Sequence, residues 1–167
     1  MQDETRAPMM VQEGEVVAVR PTGTADCFWM TVRSPQIARR VRPGQFVMVR
    51  LTGKPFPYLG RPFSVADVDP ADPDVFALAF TRVGEGTGIM AEAEPGDPVR
   101  CVGPLGNTFT VEPAPVHLFV AGGIGSAPFP FLARACAEID PSARRVLILG
   151  GADASALHLA DECRALG

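Results

Sequence analysis

The 167-residue chain is 47% hydrophobic and 20% charged, the balance of a globular protein that buries a core rather than of a disordered one. Its formal net charge of −4 argues against nucleic-acid binding, which selects a basic patch. No run approaches the roughly 18 apolar residues of a membrane span, and Met1 to Pro8 is polar and charged without the apolar stretch of a signal peptide, so a cytoplasmic location is expected. Lys54 is the only lysine among the 15 basic residues, which reads as a compositional habit rather than a functional one. The cysteines, Cys27, Cys101, Cys136 and Cys163, are widely spaced with no Cys-x-x-Cys pair. They read as reduced, buried thiols that act as small hydrophobes, and no metal site is expected within the chain.

Residues 1–10 read as a flexible lead-in. β-rich runs follow, divided by turn residues. Glu15–Arg20 is the first and is broken by Pro21-Thr22-Gly23-Thr24. Phe28–Arg33 carries Trp29, Thr31 and Val32, which favour strand. Pro43-Gly44 makes a turn before the apolar run Phe46–Leu51. Phe63–Ala66 is a short strand, Asp67–Asp74 a turn region rich in Asp and Pro, and Val75–Thr81 is apolar enough for a central strand. Pro98–Val102 closes the series. Several short strands at this spacing predict an all-β barrel or sandwich.

After about Pro113 the pattern changes. Val116–Ala121 reads as a compact apolar strand. Ala127–Ile139 is helical, with Phe131, Ala135 and Ile139 at four-residue spacing on one face. Arg145–Leu149 is a second buried strand ended by Gly150-Gly151, and Ser155–Leu166 a second helix. That order opens a parallel, doubly wound sheet. Two strands alone do not make a stable open sheet, so the expectation is a truncated chain, or a half-domain that leans on the barrel.

Four segments suit the binding of a cofactor. In Arg61-Pro62-Phe63-Ser64, Pro62 holds Arg61 extended; the guanidinium is a planar fork for phosphate oxygens, and the Ser64 hydroxyl is a donor and acceptor. Arg82-Val83-Gly84-Glu85-Gly86-Thr87-Gly88 precedes a short helix, Ile89–Ala93. Its glycines let backbone N–H groups turn toward an anion, and Thr87 is a good helix N-cap. Gly122-Gly123-Ile124-Gly125-Ser126-Ala127-Pro128 joins a strand to a helix. It departs from Gly-x-Gly-x-x-Gly in ending on Pro128, a residue that suits a first helical turn. Gly103-Pro104-Leu105-Gly106-Asn107 reads as a rigid junction between barrel and second half. Taken singly, each also fits a surface Arg, a glycine turn or an ordinary cap.

Taken in this order, and with Pro43-Gly44-Gln45-Phe46 ahead of the Arg61 segment, these motifs resemble the ferredoxin-NADP reductase superfamily over residues 11 to 166. Within it the resemblance points to the electron transfer subunits of dihydroorotate dehydrogenase. It implies a six-stranded antiparallel barrel that binds FAD (residues 11–112), then the first part of a parallel α/β domain for NAD(H) (residues 113–167). By match, Arg61, Pro62, Phe63 and Ser64 would line the flavin ring and phosphate side, and Ala79, Phe80 and Thr81 would pass beside the ring or ribityl chain. Gly86 and Thr87 would bind the flavin diphosphate, and Gly122, Gly123 and Gly125 would face the NAD(H) diphosphate. Ser64 would be the direct hydrogen-bonding group at the reactive ring edge. His117 and His158 are expected to be structural. Asp153, after the second strand, leans toward NAD.

The resemblance also implies a catalytic dihydroorotate dehydrogenase subunit as partner and a role in pyrimidine synthesis. Reductase subunits of sulfide dehydrogenase, sulfite reductase and NADH-dependent ferredoxin–NADP oxidoreductase share the pattern and stay open, as does an inactive flavin-binding fragment. Two departures stand out. Thr81 occupies a position where that branch often has Arg, with Arg82 next to it as a substitute. The family's four-cysteine segment for a [2Fe-2S] cluster has no counterpart here.

Overall fold

Alternation of inward and outward side chains builds a closed barrel in the computed structural model, which describes residues 8–22, 26–54 and 58–164. In β3 (Phe46–Leu51) Val47, Val49 and Leu51 are buried, while Met48 and Arg50 between them are not. A half-buried antiparallel strand has this period of two. β1 (Met10–Pro21), β2 (Cys27–Arg33), β4 (Arg61–Val68), β5 (Val75–Thr81) and β6 (Pro98–Leu105) complete a barrel in the order β1-β2-β5-β4-β3-β6. Closure leaves no free edge. Met30, Val32, Val65, Phe76, Leu78 and Val99 fill it, none more than marginally exposed.

α1 (Pro35–Ala38) covers one end and sends Ile37 into that core. Gln12 anchors it: its Oε1 accepts from Ser34 Oγ at 2.8 Å, Gln36 N–H at 3.0 Å and Ile37 N–H at 3.3 Å. Gln45, also buried, accepts from Arg42 N–H at 3.0 Å, and its backbone carbonyl receives Val65 N–H. The Pro43-Gly44 turn is thereby tied to β4.

β3 and β5 have the bounds that their composition predicts. β1, β4 and β6 run longer than expected. Met10 to Gly14 pair with β6 from Gly103 to Val99, so polar Gln12 and Glu13 are carried in the ladder by their partners. β6 continues through Gly103-Pro104-Leu105, expected as a junction, because Leu105 pairs with Phe46. β4 takes in Asp67 and Val68, expected as turn, through pairing with Ala77 and Phe76. Residues 1–7 of the expected lead-in and Gly23-Thr24 of the expected break lie outside the described residues.

The second unit pairs β7 (Val116–Gly122) in parallel with β8 (Arg144–Gly150), in register from Val116↔Arg144 to Gly122↔Gly150. α3 (Phe129–Ile139) covers one face, where Leu132 and Cys136 pack with Phe119. The expected core face of Phe131, Ala135 and Ile139 is corrected: Ile139 is 47% exposed, and Phe131 packs against the barrel core instead. α3 serves two cores, so its apolar residues divide between them. β7 and β8 are likewise not buried on both sides. Leu118, Val120 and Ile148 are 59%, 63% and 51% exposed, because α3 shields only the other face.

The second helix is also shorter than expected. A 3-10 turn (Ala154–Ala156) and Leu159, at φ +62°, precede α4 (Ala160–Arg164). His158 therefore lies in a connection rather than on a helix, and residues 165–166 of the expected helix are outside the described ones. Among the described residues no helix is long and apolar enough to cross a membrane.

The two units meet along the outside of β2, β4 and β5. Cys27, Ala66, Ala77 and Ala79 form a surface of small side chains, against which Ala127 and Leu159 are buried, with Trp29 and Ile124 at the margin. Two ion pairs cross the same seam: Arg134 with Asp67, and Arg20 with Glu162 at 2.9 Å.

Gly14 tests the barrel packing. A Cβ there would sit 2.3 Å from the Arg33 carbonyl oxygen, a backbone atom that cannot swing aside. Gly14→Ala is expected to lower stability by about 1–3 kcal/mol, the usual cost of overpacking, read as a lower urea midpoint at unchanged m-value.

Candidate functional site

A groove of about 270 Å³ opens where the barrel meets the second unit. β4 contributes Pro62, Phe63 and Ser64, and the end of β5 contributes Ala79, Phe80 and Thr81. Val83 and Thr87 come from the following loop and helix, and Ile124 and Ala127 from the glycine turn. Side chains alternate along β4 and β5, so a strand end offers both inward and outward residues to a ligand lying across it. The barrel-facing floor is aromatic and fixed. Phe63 and Phe80 are tilted at 52° with ring centroids 5.6 Å apart, and Phe28 stacks on Phe80 at 5.8 Å.

α2 (Glu85–Ala91) starts earlier than the expected Ile89–Ala93. Gly84 holds the N-cap position, and Thr87, expected there, is the third helical residue. The correction follows from one hydroxyl: Thr87 Oγ accepts from the N–H groups of Val83 at 3.0 Å and Gly84 at 3.1 Å, and donates to the Gly84 carbonyl at 3.0 Å. That reach back from the third position winds Gly86 into the first turn. The first N–H groups of a helix have no intrahelical acceptor, so this turn retains donors for an anion. Arg82 is held away from the groove wall. Its guanidinium meets Glu92 at 2.7 Å, and its N–H bonds the Asp26 carbonyl at 2.7 Å.

The second glycine segment forms a 3-10 turn (Gly123–Ser126) with Gly123 at φ +52°, a left-handed conformation that favours glycine. A Cβ added at Gly122, Gly123 or Gly125 would meet nothing within 4 Å, so the space over this turn is open to a ligand. Buried Ser126 donates to the Gly123 and His158 carbonyls, each 3.0 Å away, fixing the turn from behind. Pro128 is at the N-cap of α3, and Pro130 rather than Pro128 occupies its first turn.

The structure thus brings Pro62, Phe63, Ser64, Ala79, Phe80, Thr81 and Thr87 to one groove. Arg61, half-buried and paired across from Val49, does not line it. Gly86 is buried in α2, and Gly122, Gly123 and Gly125 lie on the adjoining turn. Val83, Ile124 and Ala127 lie within the two quoted glycine segments but carry no expected cofactor contact, since an apolar side chain in such a segment has no distinguishing chemistry. Asp153 accepts from the Ser155 N–H at 2.8 Å and hydroxyl at 2.6 Å; these bonds hold its carboxyl below the usual range.

No protein-family model matches the chain. It is 43% identical over 113 residues to the electron transfer subunit of dihydroorotate dehydrogenase B (NAD(+)) of Desulforamulus reducens, covering 67% of this chain and 43% of that protein. To the Bacillus velezensis subunit of the same name it is 31% identical over 165 residues, covering 97% of this chain and 61% of that one. Among solved structures, an NADH-dependent reduced ferredoxin-NADP oxidoreductase superposes with TM-score 0.75 at 31% identity, over 92% of this chain and 53% of that one. The ferredoxin reductase of carbazole 1,9a-dioxygenase superposes with TM-score 0.72 at 26% identity, over 86% of this chain and 44% of that chain.

The chain has the fold of the ferredoxin-NADP reductases.

Its closed barrel followed by a parallel βα unit matches their architecture, and it spans under two thirds of the length of these relatives. Among the described residues no cysteine forms a disulfide. Burial pushes Cys101 up to about 12, and burial with Glu162 alongside pushes Cys163 up to about 11.

Two outcomes are expected. Thr87→Ala removes the hydroxyl that closes the Val83–Thr87 turn and costs about 1 kcal/mol, the scale of a lost helix cap, with faster amide exchange at Val83 and Gly84; Thr87→Ser retains the bonds. For the thiols, the nucleophile is the thiolate, and a raised folded pKa keeps it scarce at pH 8. Ellman's reagent is expected to label Cys101 and Cys163 of the native protein slowly, and rapidly in denaturant.

Proposed function

We propose that this chain is a flavin-dependent NAD(P)H oxidoreductase subunit that binds FAD and passes electrons between the flavin and NAD(H). Residues 11–112 serve as the flavin unit and residues 113–167 as part of the dinucleotide unit. The observation that carries the reading is the single groove in which the Pro62–Ser64 strand end, the Ala79–Thr81 strand end and the wall of the glycine turn converge.

The residues present fit FAD. At about 270 Å³ the groove is smaller than the roughly 300–1,000 Å³ that encloses a drug-sized ligand, so it suits the flat end of a longer molecule that continues onto the adjoining glycine segments. Phe63 and Phe80 supply an apolar floor, and the Ser64 and Thr81 hydroxyls supply hydrogen bonds at its rim. Arg61 and the first turn of α2, with Gly86 and Thr87, would hold the flavin diphosphate. Gly122, Gly123 and Gly125, with open space above them, would take the NAD(H) diphosphate.

FAD when bound supplies hydride and single-electron chemistry. The chain's own part is to orient it: the Phe28–Phe80–Phe63 contacts fix the floor, Ser64 donates or accepts at the ring edge, and Ile124 and Ala127 exclude water from the side of the second unit. Ser64 is the one side chain we assign a direct catalytic contact.

The likeness to the dihydroorotate dehydrogenase subunits supports a catalytic dihydroorotate dehydrogenase subunit as partner and dihydroorotate oxidation, hence pyrimidine synthesis, as the setting. The superposition on an NADH-dependent ferredoxin-NADP oxidoreductase supports a second reading, the reductase subunit of a related complex.

The purified protein is expected to show a flavin absorption band, or to gain one after incubation with FAD, and to release FAD on denaturation. Ser64→Ala is expected to retain FAD and slow flavin reduction by NADH about 10-fold or more. A protein that remains colourless with FAD present would sink the reading. Coupling of dihydroorotate oxidation to NAD reduction on mixing with the catalytic subunit separates the first reading from the second.

A further inference from the structure

Besides the apolar packing of Phe131, one polar side chain ties α3 to the barrel. Arg134 donates to Asp67 Oδ1 and, at 2.5 Å, to the Val68 carbonyl, and its guanidinium carbon lies 5.5 Å from the Phe131 ring centroid. Both partners are largely withdrawn from water, with side chains 19% and 20% exposed.

Asp67 reaches this place only because β4 carries an extra residue. Val65 pairs with Leu78, and the next pairing is Asp67 with Ala77, so Ala66 and Asp67 together oppose one residue of β5. In an unbroken strand Asp67 would share the inward face of Phe63 and Val65. The bulge turns it to the outer face, beside Ala77, and Val68 returns to the barrel core. Bulges re-aim side chains in this way and concentrate near functional sites.

Seven residues before Arg134, Ala127 lines the groove together with Ile124. That is two helical turns, about 10 Å along a helix. Ala127 also rests on Ala66, the bulged residue, and Ala79. One irregularity in β4 therefore meets the chain just ahead of α3 and again at the middle of that helix.

We propose that Arg134 and Asp67 are positioning residues: their pairing fixes how close the Gly123–Ala127 turn stands to the groove, and so whether a dinucleotide on that turn meets a flavin in the groove. The assignment rests on the flavin reading above. The second ion pair of the seam, Arg20 with Glu162, lies on α4 and leaves α3 free to tilt when Arg134 is removed.

Trp29 is the only tryptophan and sits in this seam beside the small-residue surface, under Arg20 at 5.4 Å. Its emission reports on the seam without any cofactor. The test compares wild type, Arg134→Ala, the near-isosteric Asp67→Asn and Arg134→Lys. Acrylamide quenching of Trp29 is measured in FAD-free protein. In FAD-loaded protein, flavin reduction by NADH is measured against photoreduction.

The expected result is a quenching constant at least 2-fold higher in Arg134→Ala and Asp67→Asn, with NADH reduction slowed about 10-fold, photoreduction unchanged, and both effects partly restored in Arg134→Lys. Unchanged Trp29 quenching overturns the positioning role while leaving the flavin reading intact. Equal slowing of both reductions also overturns it, since that marks general loosening. A wild type that takes up no FAD overturns the flavin reading and the role together, whatever Trp29 shows.

Discussion

The close approach of a glycine turn to the outside of a barrel is the constraint on which the groove depends, and small side chains make it possible. Ala66, Ala77 and Ala79, with Cys27 beside them, present almost no relief on the outer face of β4 and β5. Larger residues at these positions would fill the barrel surface equally well. They would also hold Ile124 and Ala127 away from the strand ends, and the groove would lose one wall. The interior of the same strands carries Phe76, Leu78 and Phe80. β5 is buried along nearly its whole length because its two faces serve two different packings, one large-to-large and one small-to-small.

That double burial explains which parts of the fold were legible in the sequence. A strand buried on both sides reads as a continuous apolar run, so β5 stands out with its bounds; β3, buried on one face, stands out because Phe46 and Met48 on its other face are apolar as well. β1 and β4 contain Gln12, Glu13 and Asp67, which break the run locally and are held by partners distant in sequence. The extra residue at Ala66 was invisible for a related reason: a bulge is a property of two paired strands, and neither strand alone records it. The helix start at Glu85 was hidden because glycines normally end helices, whereas here Thr87 Oγ reaches back to accept from the Val83 and Gly84 N–H groups and closes the turn ahead of the helix. The motifs themselves were legible because they depend on short-range requirements, a proline-stiffened arginine and glycines under an open ligand path. The apolar groove walls, Val83, Ile124 and Ala127, lie within those motifs, but their place in the groove depends on the seam and had no local sign.

α3 illustrates a further limit of periodicity. Phe131, Leu132 and Cys136 cannot all point one way, and a single amphipathic face was the simplest reading. The helix instead divides its apolar residues, Leu132 and Cys136 toward Phe119 and β7, Phe131 toward the barrel. A helix wedged between two cores has a broader apolar arc than one lying on a single sheet. Its polar residue on the barrel side, Arg134, must then find a partner or leave a buried charge unpaired, which is strongly unfavourable. The bulge in β4 meets that demand by delivering Asp67.

The charge pair nevertheless adds little to stability of itself. Burial pushes the Asp67 carboxyl above its ordinary range although Arg134 beside it pulls the other way, so desolvation is the larger effect. A carboxyl raised in the folded state binds its proton more tightly there than in the unfolded chain. Its contribution to stability is therefore greatest below its ordinary value and falls as pH rises through the raised one. Ionised Asp67 is the less favourable form for folding and the form that holds Arg134. Such an arrangement gives up some stability for a defined geometry, a trade buried ion pairs make in some proteins and not in others. Here the geometry at stake is specific: without the pair, hydrophobic contact alone would hold α3 against the alanine surface, and a smooth apolar face opposes sliding far less than a directional hydrogen bond does. The pair converts a contact that is merely close into one with a set position, at the helix that directly follows the groove-lining residues Ile124 and Ala127.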